Sequence, residues 1–541
     1  MKKRIKVAAL LGTMLVVTSL AVVTVPAHAA NPFIMGVDEG MLAEQEAANC
    51  LVYENSSARD AIPLLADAGA NLGRVRVWVD PHDSAGHGYG GGTSDLSAAI
   101  ALATRYKNAG MQIMLDIHYS DWWADPGHQT KPKAWAGLSF TALTTQVHDY
   151  TQGVIASMKT AGVLPNFVQV GNEIRSGFLF PDGSWSDFTK LGTLLKAGIN
   201  GVHDALAVGD KVETIIHLDD GGKNSEYRWF FDGITAQGVN FDIIGLSYYP
   251  FWHGTVAGLQ ANVNDISARY GKDVMIVEAA SAWTPTDYDQ GNVVGPPEIV
   301  TAGYPGTIEG QTQYLRDIVQ VMKNVPNSRG RGVVWWEPTW RGCATAPAWG
   351  NSYGVAYGGN PGTPANTWDN LALFDWSGRA LSTLEVFAEN TESNAVTNPG
   401  FETDTSSTNH PTGWSTWTDT AANSNAIYTE SSALTGNFKL TNWKSTAYKA
   451  ATWQSVSVPN GKYRISAWVK SSGGQNDAYL WAKYYGGTET RQTLPAGTPS
   501  QWQLATITVT VSNGQIEVGF YSDANAGNWI NIDSVRVTPV H

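Results

Sequence analysis

Short apolar runs alternate with longer stretches whose apolar residues recur at helical spacing, eight times over, between residue 33 and about residue 390. The runs at 34–38, 71–79, 111–119, 167–174, 213–218, 241–249, 273–279 and 332–336 read as buried strands. Residues 58–68 and 96–109 are the clearest amphipathic stretches. Ser94 and Asp95 offer N-caps, and Gly69, Gly110, Gly162, Gly209 and Gly271 fall where helix C-caps belong. Strict strand–helix alternation repeated eight times predicts an α/β chain folded as a (β/α)8 TIM barrel. The excess over a minimal barrel follows strands, at 281–308 and 341–379, where loops build the active-site face.

The pattern changes near residue 391. Residues 391–397 are polar and read as a linker. From 398 to 541 helical periodicity gives way to period-two runs at 463–470, 478–485, 503–511, 515–521 and 529–537. Turns such as Pro459-Asn460-Gly461 and Ser512-Asn513-Gly514 separate them. This predicts an all-β, jelly-roll-like sandwich. Alternation puts Trp468 on the face of Arg464 and Lys470, and Trp481 on the face of Tyr479 and Lys483. A large aromatic on a polar strand face marks a binding surface, so both are candidate binding residues.

The first 30 residues open with Lys2, Lys3, Arg4 and Lys6, continue as an apolar run over 7–25, and end on Ala27-His28-Ala29. They read as a secretory signal peptide cut after Ala29 or Ala30, with an uncleaved anchor as the other reading. The domain plan is therefore signal peptide 1–30, barrel 31–390, linker 391–397 and sandwich 398–541, in a secreted, extracellular chain with no membrane association after cleavage. The net charge of −13 argues against nucleic acid or an anionic membrane as partner. The 22 tryptophans and 21 tyrosines offer flat faces that stack on sugar rings, as well as core material. Cys50 and Cys343 are the only cysteines. They follow the first and eighth predicted strands, neighbours in a closed barrel, so an exported chain is expected to join them as a disulfide. A monomer is expected.

Two runs end on a carboxylate: the fourth on Asn172-Glu173 and the seventh on Glu278. The C-terminal ends of barrel strands carry catalytic groups. Glycosidic hydrolysis needs one carboxylic acid to protonate the leaving oxygen and a second carboxylate to attack the anomeric carbon or activate water. Asn172 is placed to hold a sugar hydroxyl. Arg76 is a candidate for keeping Glu278 ionised, or else a buried structural ion pair. His118 is a candidate for binding substrate or orienting Asn172, or else a satisfied core histidine. Tyr248 is expected to donate to Glu278, and Trp336 to floor the subsite of the cleaved sugar. Trp123, Trp252 and Trp340 are candidate stacking platforms. Glu337 also follows a strand, beside Pro338.

The motifs Gly69-Ala70-Asn71, Arg74-Val75-Arg76-Val77-Trp78 and Asp116-Ile117-His118-Tyr119-Ser120-Asp121-Trp122-Trp123-Ala124-Asp125-Pro126 carry a resemblance. Gln169-Val170-Gly171-Asn172-Glu173-Ile174, Ser247-Tyr248-Tyr249-Pro250-Phe251-Trp252 and Trp336-Glu337-Pro338-Thr339-Trp340 add to it. Together they resemble glycoside hydrolase family 53, the arabinogalactan endo-β-1,4-galactanases, over residues 33–387. The resemblance implies a retaining enzyme acting inside β-1,4-galactan chains of type I arabinogalactan, with Glu173 as acid/base and Glu278 as nucleophile. An endo-glycanase of the same clan acting on mannan or xylan, and a non-catalytic polysaccharide-binding protein, are the rival readings.

The loop Asp287-Tyr288-Asp289-Gln290-Gly291-Asn292 places oxygen ligands at alternate positions, which suits calcium. The resemblance implies a structural calcium there, held by Asp287, Asp289 and Asn292 and completed by Asn366 and Asp369. The loop is one residue shorter than the family pattern, and Gln290 or Gly291 falls where a histidine ligand belongs. The opening Asn398-Pro399-Gly400-Phe401-Glu402 and the closing Ile532-Asp533-Ser534-Val535 look like carbohydrate-binding sandwich modules, those of family 61 above all. In such modules Glu402 and Asp533 would hold a structural calcium.

Overall fold

The structure is a computed structural model and describes residues 32–289, 291, 293–358 and 366–540. The predicted signal segment, Gln290 and Asn292 lie outside the described residues. The eight barrel strands are β1 (Ile34–Asp38), β2 (Leu72–Val77), β3 (Gln112–Ile117), β4 (Phe167–Val170), β5 (Glu213–Leu218), β6 (Ile243–Tyr248), β7 (Asp273–Ala279) and β8 (Gly330–Trp336). They close a parallel barrel in chain order, with β8 returning to β1 so that Met35 pairs with Val333 and Val37 with Trp335. The fourth run stops short of its apolar length, because Gly171 (φ 86°) and Glu173 (φ 49°) leave the extended conformation. The predicted helix at 58–68 shortens to Ala61–Asp67, since Ser57–Arg59 pairs with Val52–Glu54 as a hairpin. Asp60 and Asp95 cap their helices through the amides of Ile62 and Ala98.

Strand alternation explains what the barrel interior holds. The inward positions Ile34, Leu72, Met114, Phe167, Ile215, Ile243, Met275 and Val334 form an apolar plug at the bottom. The residues between them, such as Val75, Leu115, Val168, Ile216 and Ile276, face the helical layer and join its core. Two positions beyond the plug, the inward residues become Arg74, Asp116, Gln169 and His217. The lower barrel thus supplies burial and the upper barrel chemistry.

The C-terminal part is a sandwich of two five-stranded antiparallel sheets. Its strands are β9 (Ser415–Thr418), β10 (Ile427–Glu430), β11 (Lys439–Trp443), β12 (Tyr448–Ser457), β13 (Gly461–Ser471), β14 (Gln475–Lys483), β15 (Thr490–Thr493), β16 (Gln503–Val511), β17 (Gln515–Ala524) and β18 (Trp529–Pro539). One sheet runs β9-β12-β17-β14-β15 and the other β10-β11-β18-β13-β16. Phe401, Leu440, Ile465, Leu480, Phe520 and Ile532 fill the space between them. β12 escapes sequence pattern because its buried positions include Thr452 and Gln454.

Residues 391–397 are built into the sandwich rather than hanging as a loose linker. Asn394 donates to the Val535 carbonyl at 2.8 Å and accepts from the Val537 amide at 3.0 Å, and Val396 enters the sandwich core. Glu385, on the last barrel helix (Glu385–Thr391), pairs with Arg536 and accepts a hydrogen bond from Trp468 Nε1 at 3.0 Å. Arg464 pairs with Glu54 at 2.7 Å, and Asn55 donates to Thr506 Oγ1 at 2.9 Å. Cys50 and Cys343 are joined as a disulfide with Cα atoms 6.0 Å apart, tying the loops after β1 and β8. Among the described residues, no helix is long and apolar enough to cross a membrane.

Candidate active site

Glu173 and Glu278 line one cavity of about 710 Å³ at the C-terminal mouth of the barrel. Glu173 follows β4 in the left-handed conformation, φ 49° and ψ 49°, an unfavourable backbone for glutamate of the kind functional sites retain. Glu278 reaches the mouth through a β-bulge. Leu246 pairs with Ile276 but Ser247 pairs with Glu278, so β7 carries one extra residue there.

The two carboxyls sit in opposite surroundings. Glu278 Oε1 lies 2.8 Å from Arg74 Nη2, and its Oε2 accepts from Tyr249 Oη at 3.0 Å. Arg74 also binds Asp38 at 2.7 Å, Asp116 at 2.8 Å and Asn172 Oδ1 at 3.0 Å. Burial works against the Arg74 charge, but Asp116, Glu278 and Asp38 outweigh it and hold the guanidinium firmly protonated. Among the described residues no cation pairs with Glu173; its Oε1 accepts from Ser247 Oγ at 2.6 Å. Burial, the nearby Glu278 charge and Asp219 raise its pKa well above the carboxylate range. Burial also lifts Glu278, to about 7, against the opposing pull of Arg74. A proton held by the pair therefore resides on Glu173, and the negative charge on Glu278 beside Arg74 and Tyr249.

His217 completes the support. Its Nδ1 accepts from the Glu173 amide at 3.3 Å and from Gln169 Nε2 at 2.8 Å, so Nε2 carries the hydrogen and donates to Ser247 Oγ at 2.8 Å. Burial and Arg74 hold its pKa well below the usual histidine value, so the ring is neutral. Ser247 passes the chain on to Glu173 Oε1, leaving Oε2 to carry the acidic proton.

Several predicted site residues stand elsewhere. Arg76 does not hold Glu278: its Nη1 pairs with Glu337 at 2.8 Å and its guanidinium lies over Trp123, 4.5 Å from the ring centroid. The bare Gly40 makes this possible, since a Cβ there would lie 2.2 Å from Arg76 Cζ. Arg74, one inward position deeper, takes the assigned role. Tyr248 points outward and donates to the Gly254 carbonyl at 2.8 Å; the inward neighbour Tyr249 donates to Glu278. His118 lines the cavity with both nitrogens engaged, by Asp116 on one side and by Trp78 Nε1 and the Ala124 amide on the other, and it does not touch Asn172. Asn172 is anchored by Arg74 and by donation to the Ala124 carbonyl at 2.7 Å. Trp123, Trp252 and Trp336 line the cavity, whereas Trp340 is fully buried and packs edge-on against the cavity-lining Trp349 at 4.9 Å. Trp349, Trp368 and Asp219 are further cavity residues, from loops whose conformation no period announces.

In the sandwich, Trp468 is buried against the barrel, so it is not a sugar platform. Trp481 lies on the outer face of β14 but is only 4% exposed. Its indole fills the space over Gly519 and Lys483 covers its ring at 4.3 Å. The open aromatic on that sheet is Trp417, 47% exposed, in register through Ala451 with Tyr521 and Tyr479.

Asp287, Asp289 and Asp369 each present an oxygen within 4.8 Å of the others. Asp289 Oδ1 and Asp369 Oδ1 are buried with no hydrogen-bond partner among the described residues. Burial, with the charges of Asp287 and Asp289, lifts Asp369 to about 7. Unsatisfied carboxylate oxygens facing one point fit a hard divalent cation. Asn366 donates its backbone N–H to Asp289 at 2.9 Å, while its side-chain amide holds the carbonyls of Trp340 and Arg341 and the Trp368 amide.

The sequence model described as "Glycosyl hydrolase family 53" matches residues 34–387. An "Endo-beta-1,4-galactanase" of Bacillus subtilis (strain 168) is 34% identical over 376 residues, covering 66% of this chain and 85% of its own length. An "Arabinogalactan endo-beta-1,4-galactanase" of Cellvibrio japonicus (strain Ueda107) is 34% identical over 354 residues, 64% of this chain and 87% of its own. The solved "Ignisphaera aggregans GH53 catalytic domain" is 38% identical with a TM-score of 0.61, covering 67% of this chain and 97% of that one. A family 61 carbohydrate-binding module solved with β-1,4-galactotriose covers 27% of this chain and 99% of its own at 24% identity, with a TM-score of 0.24, too distant a likeness to identify a ligand.

Proposed function

This chain belongs to glycosyl hydrolase family 53, and on that premise we propose that it is a secreted, retaining endo-β-1,4-galactanase acting on galactan. The observation that carries the mechanism is the opposite setting of the two glutamates. Glu278 attacks the anomeric carbon while Glu173 gives its proton to the glycosidic oxygen, so the C–O bond breaks and the shortened chain leaves as an alcohol. Arg74 and Tyr249 keep the attacking carboxylate charged and aimed. Glu173, now a carboxylate, takes a proton from water as that water attacks the glycosyl–Glu278 ester. The sugar departs with its configuration retained, Glu278 is released and Glu173 is again the acid. Trp252, Trp336 and Trp349 line the cavity and offer faces for the sugar rings.

The galactanase relatives support β-1,4-galactan as the substrate. Product analysis on linear β-1,4-galactan beside mannan, xylan and β-1,3-galactan tests this: short galacto-oligosaccharides are expected from the β-1,4 chain alone, and cleavage of mannan or xylan instead would overturn the specificity. Glu173→Gln is expected to cut turnover ~10²–10⁴-fold while binding persists. Unchanged turnover would refute its role. In the sandwich, Trp417, with Tyr521 in register beside it through Ala451, replaces Trp468 and Trp481 as the surface offered to polysaccharide, since Arg491 covers the Tyr479 ring. Calcium is the cation proposed for Asp287, Asp289 and Asp369, where it would pin the loop after β7 to the loop preceding the last helix.

A further inference from the structure

Three tryptophans of the barrel are more than two-fifths exposed: Trp252 (49%), Trp185 (50%) and Trp229 (42%). Trp252 lines the catalytic cavity. Trp185 and Trp229 do not, yet they are not scattered surface residues. Trp185 lies between the small hairpin after β4 and the helix Phe188–Asp204, and Trp229 lies on the helix Asn224–Ala236 after β5. Their indoles meet edge to face, with centroids 5.6 Å apart and planes at 72°. Phe188 seats Trp229 from the side at 5.3 Å. Phe188 itself fits because Gly233 bears no side chain; a Cβ there would lie 2.4 Å from its ring. Among the described residues, neither indole carries a lysine or arginine over its face, unlike Trp481.

The pair is linked to the cleft by two short routes. The Trp185 amide donates to the Ser176 carbonyl at 3.1 Å, and Ser176 Oγ donates at 2.6 Å to the carbonyl of Pro126, which lines the cavity. Arg175, two residues from Glu173, binds Asp219 at 2.8 Å and Glu226 at 2.8 Å, and Glu226 is three residues, under one helical turn, before Trp229. The aromatic pair therefore stands on the rim of the same face, just outside the acid's supporting shell.

We infer that Trp185 and Trp229 form an accessory sugar-stacking platform that holds the polysaccharide where it runs out of the cleft on the Glu173 side. The inference rests on the endo-acting reading above. A cavity of about 710 Å³ accommodates only a short oligosaccharide, so a chain cut internally continues over the rim. The ligand class is a neutral polysaccharide whose pyranose rings present C–H faces to indole.

The test compares wild type with Trp185→Ala/Trp229→Ala in the full chain, on long β-1,4-galactan and on short galacto-oligosaccharides confined to the cleft. The expected result is a roughly five- to tenfold rise in KM for the polymer, the scale of losing one good aromatic contact, with polymer kcat and short-substrate kcat/KM held within twofold. Trp185→Phe/Trp229→Phe is expected to recover part of the loss. An unchanged polymer KM overturns the platform, and so does an equal loss on both substrates, which would mark a structural role. A wild-type dimer in sedimentation that dissolves in the alanine variant, with polymer KM unchanged, overturns it in favour of self-association. Failure of the specificity reading shows separately, as wild-type turnover of another polymer. The same two variants are then compared on that polymer, where equal KM again refutes the platform.

Discussion

Removing the Tyr249 hydroxyl should move one limb of the pH profile and leave the other in place. Tyr249 Oη donates to Glu278 Oε2 at 3.0 Å. That bond favours the charged carboxylate, which must be ionised to attack. Glu278 is already lifted to about 7, first by burial, with Arg74 and Tyr249 among the groups opposing the rise. A hydrogen bond to a charged group contributes ~1.5–3 kcal/mol. Water entering the open cavity restores part of it, leaving about 1.4 kcal/mol, or about one pH unit. Loss of a bond to the charged form raises a carboxyl pKa, so in Tyr249→Phe the acid limb of kcat/KM should shift upward by about one unit. The alkaline limb reports loss of the Glu173 proton and should stay. Because the limbs approach each other, the optimum should move up by about half a unit and its height should fall by no more than about fourfold. The assay is kcat/KM against pH on a soluble galacto-oligosaccharide. Tyr248→Phe is the control: its hydroxyl holds only the Gly254 carbonyl, so it should lose about 1 kcal/mol of stability and shift neither limb. An unmoved acid limb in Tyr249→Phe, or an equal shift in Tyr248→Phe, would refute the assignment.

Glu385→Ala leaves Arg536 and Trp468 buried without their acceptor, at a cost of about 3–5 kcal/mol. Calorimetry should then show the sandwich melting ahead of the barrel; a single unshifted transition would count against the docking. Asp369 sits at about 7 in the fold, above an unfolded aspartate. Without a cation, its stabilising contribution is present in full below the unfolded value and lost as pH rises through about 7. Chelation should therefore lower Tm more at pH 8 than at pH 5, and equal losses would sink the cation site. Cys50→Ser/Cys343→Ser frees the loops after β1 and β8, and should lower stability by ~2–5 kcal/mol in denaturant titration while the Glu173–Glu278 pair stays competent.

The barrel was legible because its signal is periodic. Each strand is buried on both sides, each helix on one, and the alternation repeats often enough to specify closure. Five of the sandwich's long strands are legible, whereas β12, with 10 residues, is not. β12 buries Thr452 and Gln454, which reads as loop chemistry although both are inward. Trp468 shows a different limit. It lies on the strand face it shares with Arg464, but such a face suits a domain interface as well as a ligand, and only the fold reveals that Glu385 covers it.

Within the site, strand alternation leaves two roles one or two positions from where the fold puts them, and for one reason. Arg74 and Arg76 both point inward from β2, so alternation alone leaves open which reaches Glu278. The answer depends on depth: Arg76 is the one in register with Asp116, yet the guanidinium of Arg74, a layer deeper and in register with Met114, reaches Asp116 and Gln169, while Arg76 turns to Glu337. Tyr248 and Tyr249 differ by one step of a period-two strand, so choosing between them requires knowing that Ser247 faces inward; its hydrogen bond to Glu173 establishes that. Glu278 occupies the mouth because β7 carries an extra residue, a displacement that a strand pattern cannot display. Residue type announces chemistry, and register decides which copy performs it. Where two candidates of one type stand a step apart, as these arginines and tyrosines do, the choice is made by the partner strand: β3 and β4 set the depth at which Arg74 is met by acceptors, and β7 sets the height at which Tyr249 meets a carboxylate.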